Sequence, residues 1–358
     1  MNNEKIKGRG AQFNPKNRFE RLRVEKFYND EIDSFYSEGN PKERIATQYF
    51  KDTSRSVISV NNSEDIDFDY SFNPYRGCEH GCIYCYARPS HEYLGFSSGL
   101  DFETKIMVKE NAPELLEKEL KKKSYKPDII IFSGNTDCYQ PIESKLKITR
   151  KALEVCLKYG NPVGLITKNA LVLRDIDILK EMSKKDLVSV TLTITSMDKS
   201  LISKMEPRTS VPLKRLETIS KLAENNIPVG VNIAPVIPGL NDEEIPSILK
   251  AASELGAEYA GFILLRLPYS VKDLFVNWLS NEFPQKANKI INRIKDIRGG
   301  KLNNSEFGKR FSGEGEFAET IKSLFAISCK KYGLNKRDYQ LSVQNFRKKA
   351  NEQLEMFI

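Results

Sequence analysis

From about residue 66 to 270, short apolar runs alternate with amphipathic stretches, a rhythm that predicts strands and helices in turn. Asp67–Phe72 reads as a first strand that delivers the chain to a cysteine-rich loop. Asp128–Phe132 (Asp-Ile-Ile-Ile-Phe) reads as a second, apolar enough to be buried on both faces. Pro162–Thr167, Leu187–Thr195, Pro228–Ala234 and Tyr259–Leu265 complete the set. Between strands, Leu146–Tyr159 carries Ile148, Ala152, Val155, Cys156 and Tyr159 as a helical stripe. Ile176–Met182, Leu213–Ala223 and Glu243–Leu255 predict further helices. Six strands with helical crossovers predict an α/β fold around a parallel sheet. The pattern alone leaves a barrel and a doubly wound sheet both open.

The flanks differ. Residues 1–65 read as an irregular N-terminal arm, 66–270 as the α/β domain and 271–358 as a helical cap. The cap is predicted from Val271–Leu279, Lys286–Ile297, Glu316–Tyr332 and a C-terminal run through Phe346, punctuated by Gly299-Gly300 and Gly313-Glu314-Gly315. In the arm, Lys5, Lys7, Arg9, Phe13, Lys16, Arg18, Phe19 and Arg21 interleave basic and aromatic residues, as single-strand-binding surfaces do. Glu20, Glu25 and Asp30 dilute that charge and favour an arm packed over the domain.

Composition narrows the setting. The 358 residues are 40% hydrophobic and 29% charged, with a net charge of +8 that permits an anionic partner without requiring one. No run approaches the ~18–20 apolar residues of a membrane span. Met1-Asn2-Asn3-Glu4-Lys5 opens without the apolar core of a secretory signal, so the expected place is the cytoplasm. Six cysteines, three of them crowded together, suit a reducing compartment better than a disulfide framework.

The crowded three are Cys78, Cys82 and Cys85, in the stretch Arg76-Gly77-Cys78-Glu79-His80-Gly81-Cys82-Ile83-Tyr84-Cys85-Tyr86. Soft thiolates on one tight loop select iron–sulfur clusters, zinc or copper(I). Three cysteines leave one iron of a [4Fe–4S] cluster without a protein ligand. Alternatively His80 or His91 completes a zinc site. Gly77 and Gly81 suit the reversals such wrapping needs.

Cys78-x3-Cys82-x-Tyr84-Cys85 resembles the signature of the radical S-adenosylmethionine (SAM) superfamily, with Tyr84 as its aromatic. Pro74-Tyr75-Arg76-Gly77-Cys78 through Tyr86-Ala87-Arg88 is similar to the branch related to spore photoproduct lyase. Gly8-Arg9-Gly10-Ala11 and Asn14-Pro15-x-Asn17-Arg18-Phe19 resemble the arm of a bacterial subgroup of these proteins. The resemblance implies a partial (β/α)6 barrel with an N-terminal arm and a C-terminal helical extension. It also implies a [4Fe–4S] cluster on Cys78, Cys82 and Cys85, with SAM on the fourth iron and an electron donor of the reductase, flavodoxin or ferredoxin type. The implied reaction is reductive cleavage of SAM to a 5′-deoxyadenosyl radical that acts on an unknown substrate, a DNA lesion being one candidate. Radical modification of RNA or protein is a second reading, and a non-catalytic zinc-binding nucleic-acid module a third, from a different class.

Ligand groups of parallel α/β folds gather at the C-terminal ends of strands. After the second strand, Ser133, Gly134, Asn135, Thr136 and Asp137 stand where the superfamily has a Gly-Gly-Glu-like sequence for the SAM amino group. Lys168 follows the third strand, and the resemblance gives it the SAM carboxylate. Thr195 and Ser196 follow the fourth and suit a ribose, while Arg208 could clamp a carboxylate. Val236, within Ala234–Asp242 after the fifth, belongs to a wall for adenine. Arg266 ends the last strand, toward the cavity mouth. Tyr84 joins these cofactor-binding positions. Cys156 and Cys329 read as core residues. Cys138, in the cofactor loop, is either a packed thiol or a hydrogen donor to a substrate radical.

One outcome follows from the shared centre. Replacing any of Cys78, Cys82 or Cys85 by Ala should abolish the visible iron–sulfur absorption of the reconstituted protein, whereas Cys138, Cys156 and Cys329 should be dispensable for it. A full cluster in Cys82→Ala overturns the ligand set.

Overall fold

The computed structural model describes residues 6–19, 45–66, 68–336 and 340–348. Ten strands occur among them: β1 (Gln48–Lys51), β2 (Ile58–Val60), β3 (Tyr70–Phe72), β4 (Tyr75–Arg76), β5 (Lys105–Val108), β6 (Ile130–Phe132), β7 (Val163–Thr167), β8 (Val188–Thr193), β9 (Val229–Val236) and β10 (Tyr259–Leu264). Six are parallel neighbours in the order β3-β6-β7-β8-β9-β10, and β2 lies antiparallel on the free side of β3. These are the six strands expected from sequence, each within a few residues of its predicted limits. Among the described residues no strand pairing joins β10 back to the β3 side, so this is a partial barrel.

Alternation along the strands divides the sheet into two unlike faces. Val188, Val190 and Leu192 of β8 and Val229, Val231 and Ile233 of β9 are buried beneath the helices. The residues between them, Ser189, Thr191, Gly230, Asn232 and Ala234, line a concave face of small and polar side chains. Phe72 of β3 stacks on Phe132 of β6 at 4.4 Å on the helix-covered side. Each buried Phe there contributes roughly 1.5–3 kcal/mol of transfer free energy. The expectation that the Ile-rich second strand is buried on both faces is corrected: Ile131 is only half-buried, because it faces the open concave side.

Tyr259 lies across that face. A Cβ on Gly230 would stand 2.1 Å from its ring, and its hydroxyl donates to the Val190 carbonyl at 2.9 Å. Only glycine leaves room for the ring.

The flanks hold more structure than expected. β1 pairs in parallel with β5, and β5 pairs with β4, so a three-stranded sheet brackets the cysteine loop. The four residues of β1 are exposed, which hid the strand from a reading based on burial periodicity. The helices Val271–Glu282, Ala287–Asp296 and Glu316–Tyr332 stand where three helices are predicted after β10. The C-terminal run through Phe346 does not form the expected helix. Residues 340–348 spend their backbone on the domain instead: Ser342 N–H donates to Asp186, and Arg347 N–H to Tyr159. No helix among the described residues is long and apolar enough to cross a membrane.

A second core lies under the cysteine loop. Cys82, Ile83 and Tyr84 share it with Leu265, Phe275, Trp278 and Ile290 from the chain after β10, and with Ala11 of the arm. The loop is thus packed from both ends of the sequence.

Gly230→Ala should force Tyr259 off the concave face and cost about 1–3 kcal/mol, as overpacking does. The urea midpoint measures this; an unchanged midpoint would show that the ring is not held there.

Candidate functional site

The cysteine loop leaves β4 and is shaped by two left-handed glycines, Gly77 (φ 80°) and Gly81 (φ 67°), as anticipated. A Cβ on Gly81 would meet a Glu103 carboxylate oxygen at 2.7 Å. Cys78 N–H donates to the Phe102 carbonyl at 2.9 Å, and Cys85 N–H to Cys82 O at 3.2 Å. Arg88, fully buried, threads behind the loop, with Nε on Cys82 O at 3.0 Å and Nη2 on Glu103 Oε1 at 2.5 Å.

Glu103 also fastens the arm. Its oxygens accept from Gly10 N–H at 3.1 Å and Ala11 N–H at 2.8 Å. A Cβ on Gly10 would meet Gly81 O at 1.9 Å, so only glycine permits this approach. The described part of the arm therefore packs on the cysteine loop, with Arg9 and Asn17 buried. Lys5 and Arg21 lie outside the described residues.

All six cysteines are free, and Cys78, Cys82 and Cys85 are buried or half-buried. Burial pushes the three thiols up; Asp137, Cys82 and Cys85 add to the rise at Cys78, and Glu206 and Cys85 to that at Cys82. Lys168 and Arg88 act in the opposite direction on Cys85. A coordinated thiol is deprotonated outright by the metal, and three soft donors on one loop suit iron–sulfur chemistry. Among the described residues no three His, Cys, Asp or Glu side chains stand in a metal-holding group. The donor set fits a cluster. The histidines do not complete a zinc site: His80 is 3.3 Å from Asp137 Oδ2 through Nδ1 and 3.3 Å from Asn169 through Nε2. His91 is wedged against Phe96 and Phe102, and burial lowers its pKa to about 4.

Glu206 knots the loop to the strand ends. Fully buried, it follows the helix Lys199–Met205, whose N-cap Asp198 accepts from Ser200 N–H at 2.7 Å. Its Oε1 accepts from Tyr84 OH, from Thr195 Oγ1 at 2.5 Å and from Lys168 Nζ at 3.1 Å. Its Oε2 pairs with Arg215 Nη2 at 2.5 Å. Arg215 sits on the first turn of the helix Pro212–Glu224 and also donates to Thr193 O at 2.8 Å. Burial alone would raise the Glu206 pKa, but Arg215 and Lys168, with the Thr195 and Tyr84 hydroxyls, hold it far below the ordinary 4.5.

The sequence pattern of the radical SAM superfamily matches residues 72–252, which include this loop and the strands from β6 to β9. The chain belongs to the radical SAM superfamily. An uncharacterised protein of Mycobacterium tuberculosis (strain ATCC 25618 / H37Rv) is 32% identical over 244 residues, 68% of this chain and 71% of that protein. One of Methanocaldococcus jannaschii is 32% identical over 225 residues, 63% and 80% of the two chains. Among solved structures, spore photoproduct lyase complexed with dinucleoside spore photoproduct aligns with a TM-score of 0.57 at 16% identity, covering 80% of each chain. The fold is thus shared with that lyase. The protein is a radical SAM enzyme, and its cofactors are a [4Fe–4S] cluster and SAM. The zinc-module reading falls with that assignment.

Against this family frame, the cofactor positions expected from sequence divide. Tyr84, Lys168 and Thr195 meet on Glu206. Lys168 spends its three donors on Glu206, on Thr195 Oγ1 at 3.0 Å and on Ala234 O at 3.0 Å. Ser196 turns its hydroxyl to Glu244 Oε1 at 2.6 Å, and Val236 is buried in the main core. Arg208 lies on the loop's outer side, 3.3 Å from Glu79 Oε1 and 3.2 Å from Thr47 Oγ1. Ser133, Gly134 and Asn135 form a turn after β6, with Ser133 at φ 74°. Asn73 accepts from Asn135 N–H at 2.8 Å, and Gly134 O accepts from Tyr86 OH at 2.6 Å. Cys138 is fully buried in the main core, its amide held by Ser133 Oγ at 2.8 Å and its carbonyl by Thr149. Glu206, Arg215 and Asn73 were not singled out from sequence; the nearest signal was the Glu206-Pro207-Arg208 run.

Glu206→Gln should destabilise the protein by about 3–5 kcal/mol, because two buried cations lose their carboxylate. Because the folded pKa of Glu206 is depressed, its contribution is complete above 4.5 and is lost as pH falls below that value. Urea midpoints of wild type and Glu206→Gln across acid pH should converge; parallel curves would contradict the network.

Proposed function

We propose that the protein cleaves SAM reductively and turns the radical on a C–H bond of a substrate held on the concave face. The observation that carries this reading is the thiol loop, fixed by Glu206 at the C-terminal ends of β7 and β8, beside a sheet face of small polar side chains. Cys78, Cys82 and Cys85 are the residues that would hold the cluster. When bound there, the cluster would supply the electron for reductive cleavage of SAM to methionine and a 5′-deoxyadenosyl radical. The side chains position and exclude. Tyr84 is anchored between two ligand cysteines through Glu206, and Lys168 supports that anchor as a positioning residue. The turn Ser133–Asn135 offers backbone groups beside the loop. The arm covers the loop's outer side through Gly10, which limits access of competing quenchers.

A nucleic-acid lesion is the substrate class favoured here, supported by the fold shared with a lyase that binds dinucleoside spore photoproduct. The electron comes from a flavodoxin, ferredoxin or reductase. The free thiols suit the reducing cytoplasm.

Anaerobic holoprotein given dithionite and SAM should release 5′-deoxyadenosine and methionine in equal amounts. Adding dinucleoside spore photoproduct should accelerate that release. No cleavage by a fully loaded protein overturns the enzymatic reading, and cleavage indifferent to the lesion removes that substrate.

A further inference from the structure

Arg266, two residues beyond β10, has no hydrogen bond or ion pair to any described residue, and its Nε is buried without a partner. It is held instead by two rings: its guanidinium carbon is 5.8 Å from the centre of Tyr86 and 4.7 Å from that of Phe311. Tyr86 immediately follows the ligand Cys85 and is 48% exposed, so Arg266 stands at the mouth of the barrel beside the cluster loop. Phe311 is fixed there, since its carbonyl accepts from Leu264 N–H at 2.9 Å.

The surroundings add positive charge. Arg310 lies close enough for its charge to act on Arg266, and Arg266 acts in turn on Arg298. Arg298 is committed to the carbonyls of Leu264, Leu265 and Lys309. Asp65 also acts on Arg266, but it is engaged by both Nε and Nη2 of Arg310. Arg310 in turn lies over Phe307 and Phe311, and Phe307 is 58% exposed. A partly buried cation among like charges is costly unless an anion arrives. Guanidinium forks match phosphate bidentately, and flanking rings accept flat groups by stacking.

We infer that Arg266 is the seat of a phosphate carried by the substrate, with Tyr86 and Phe311 gripping the flat group beside it, so that the mouth takes a nucleotide unit. The seat rests on the proposed function for its place beside a radical centre. Its chemistry is shared by a free nucleotide and by a nucleotide within a strand. The packed arm is not needed for it.

The test uses anaerobic holoprotein and a fluorescein-labelled single-stranded pentathymidylate, read by fluorescence anisotropy at low salt. The comparison probe has uncharged methylphosphonate linkages. The charged probe should bind and the uncharged one should bind much more weakly. Arg266→Gln should weaken the charged probe about tenfold, the scale of one charge-assisted pair. Arg266→Lys should recover part of the loss, and Phe311→Ala should weaken both probes. Circular dichroism melts confirm that each variant is folded. Competition by thymidine 5′-monophosphate assigns the seat to a single nucleotide, and competition by the unlabelled strand alone assigns it to a phosphodiester; either supports the seat. Equal binding of the two probes, no binding of either, displacement by glutarate as readily as by the nucleotide, or wild-type affinity in Arg266→Gln overturns it. So does an equal loss of SAM affinity in Arg266→Gln, which would give Arg266 to the cofactor. Release of 5′-deoxyadenosine is measured separately, so failure of the seat and failure of the enzymatic reading are distinguishable.

Discussion

A carboxylate with no water to face must find its hydrogen bonds inside the protein, and Glu206 finds them on four separate elements. Tyr84 reaches it from the cysteine loop, Lys168 from the end of β7, Thr195 from just beyond β8, and Arg215 from the following helix. Each partner is a different stretch of chain, so one side chain fixes the height of the loop above the sheet. Removing it would strand two cations, which makes the knot all-or-none rather than gradual. The second core beneath the loop and the Glu103–Arg88 pair behind it complete the mounting with apolar contact and a buried ion pair. The loop that carries the three thiols is thus held from both sides.

That mounting explains the division between the two faces of the sheet. The outer face carries the alternating Val, Leu and Ile positions and supplies cohesion. The concave face is left to Ser, Thr, Gly and Asn, with Tyr259 lying across Gly230. Strand pairing does not close the barrel among the described residues. Arg310, from the segment beside β10, pairs with Asp65, from the connection between β2 and β3, and so spans the two sides of the sheet.

Much of this was legible in the sequence because it is local. Strand and helix positions follow from periodicity, and the thiol loop from spacing, with Gly77 and Gly81 placed where φ is positive. What escaped is long-range or directional. Glu206 sits in an ordinary Glu-Pro-Arg run, and the four partners that tie it to other elements lie 9 to 122 residues away. Thr195 and Ser196 are adjacent hydroxyls after one strand, yet their bonds go to Glu206 and Glu244, a direction no spacing reveals. Arg208, expected at the cofactor, is drawn to Glu79 by charge. The segment 340–348 docks its backbone instead on the turn at Asp186 and on the helix end at Tyr159. In the arm, the Gly8-Arg9-Gly10-Ala11 string was legible, but the reason for Gly10, its approach to the Gly81 carbonyl, was not.

A cluster held by Cys78, Cys82 and Cys85 would leave its fourth iron to SAM. Electron paramagnetic resonance of the reduced, reconstituted protein tests it directly. The expected result is a [4Fe–4S]+ spectrum whose g values shift when SAM is added, because SAM would enter the coordination sphere. An identical spectrum with and without saturating SAM would contradict it.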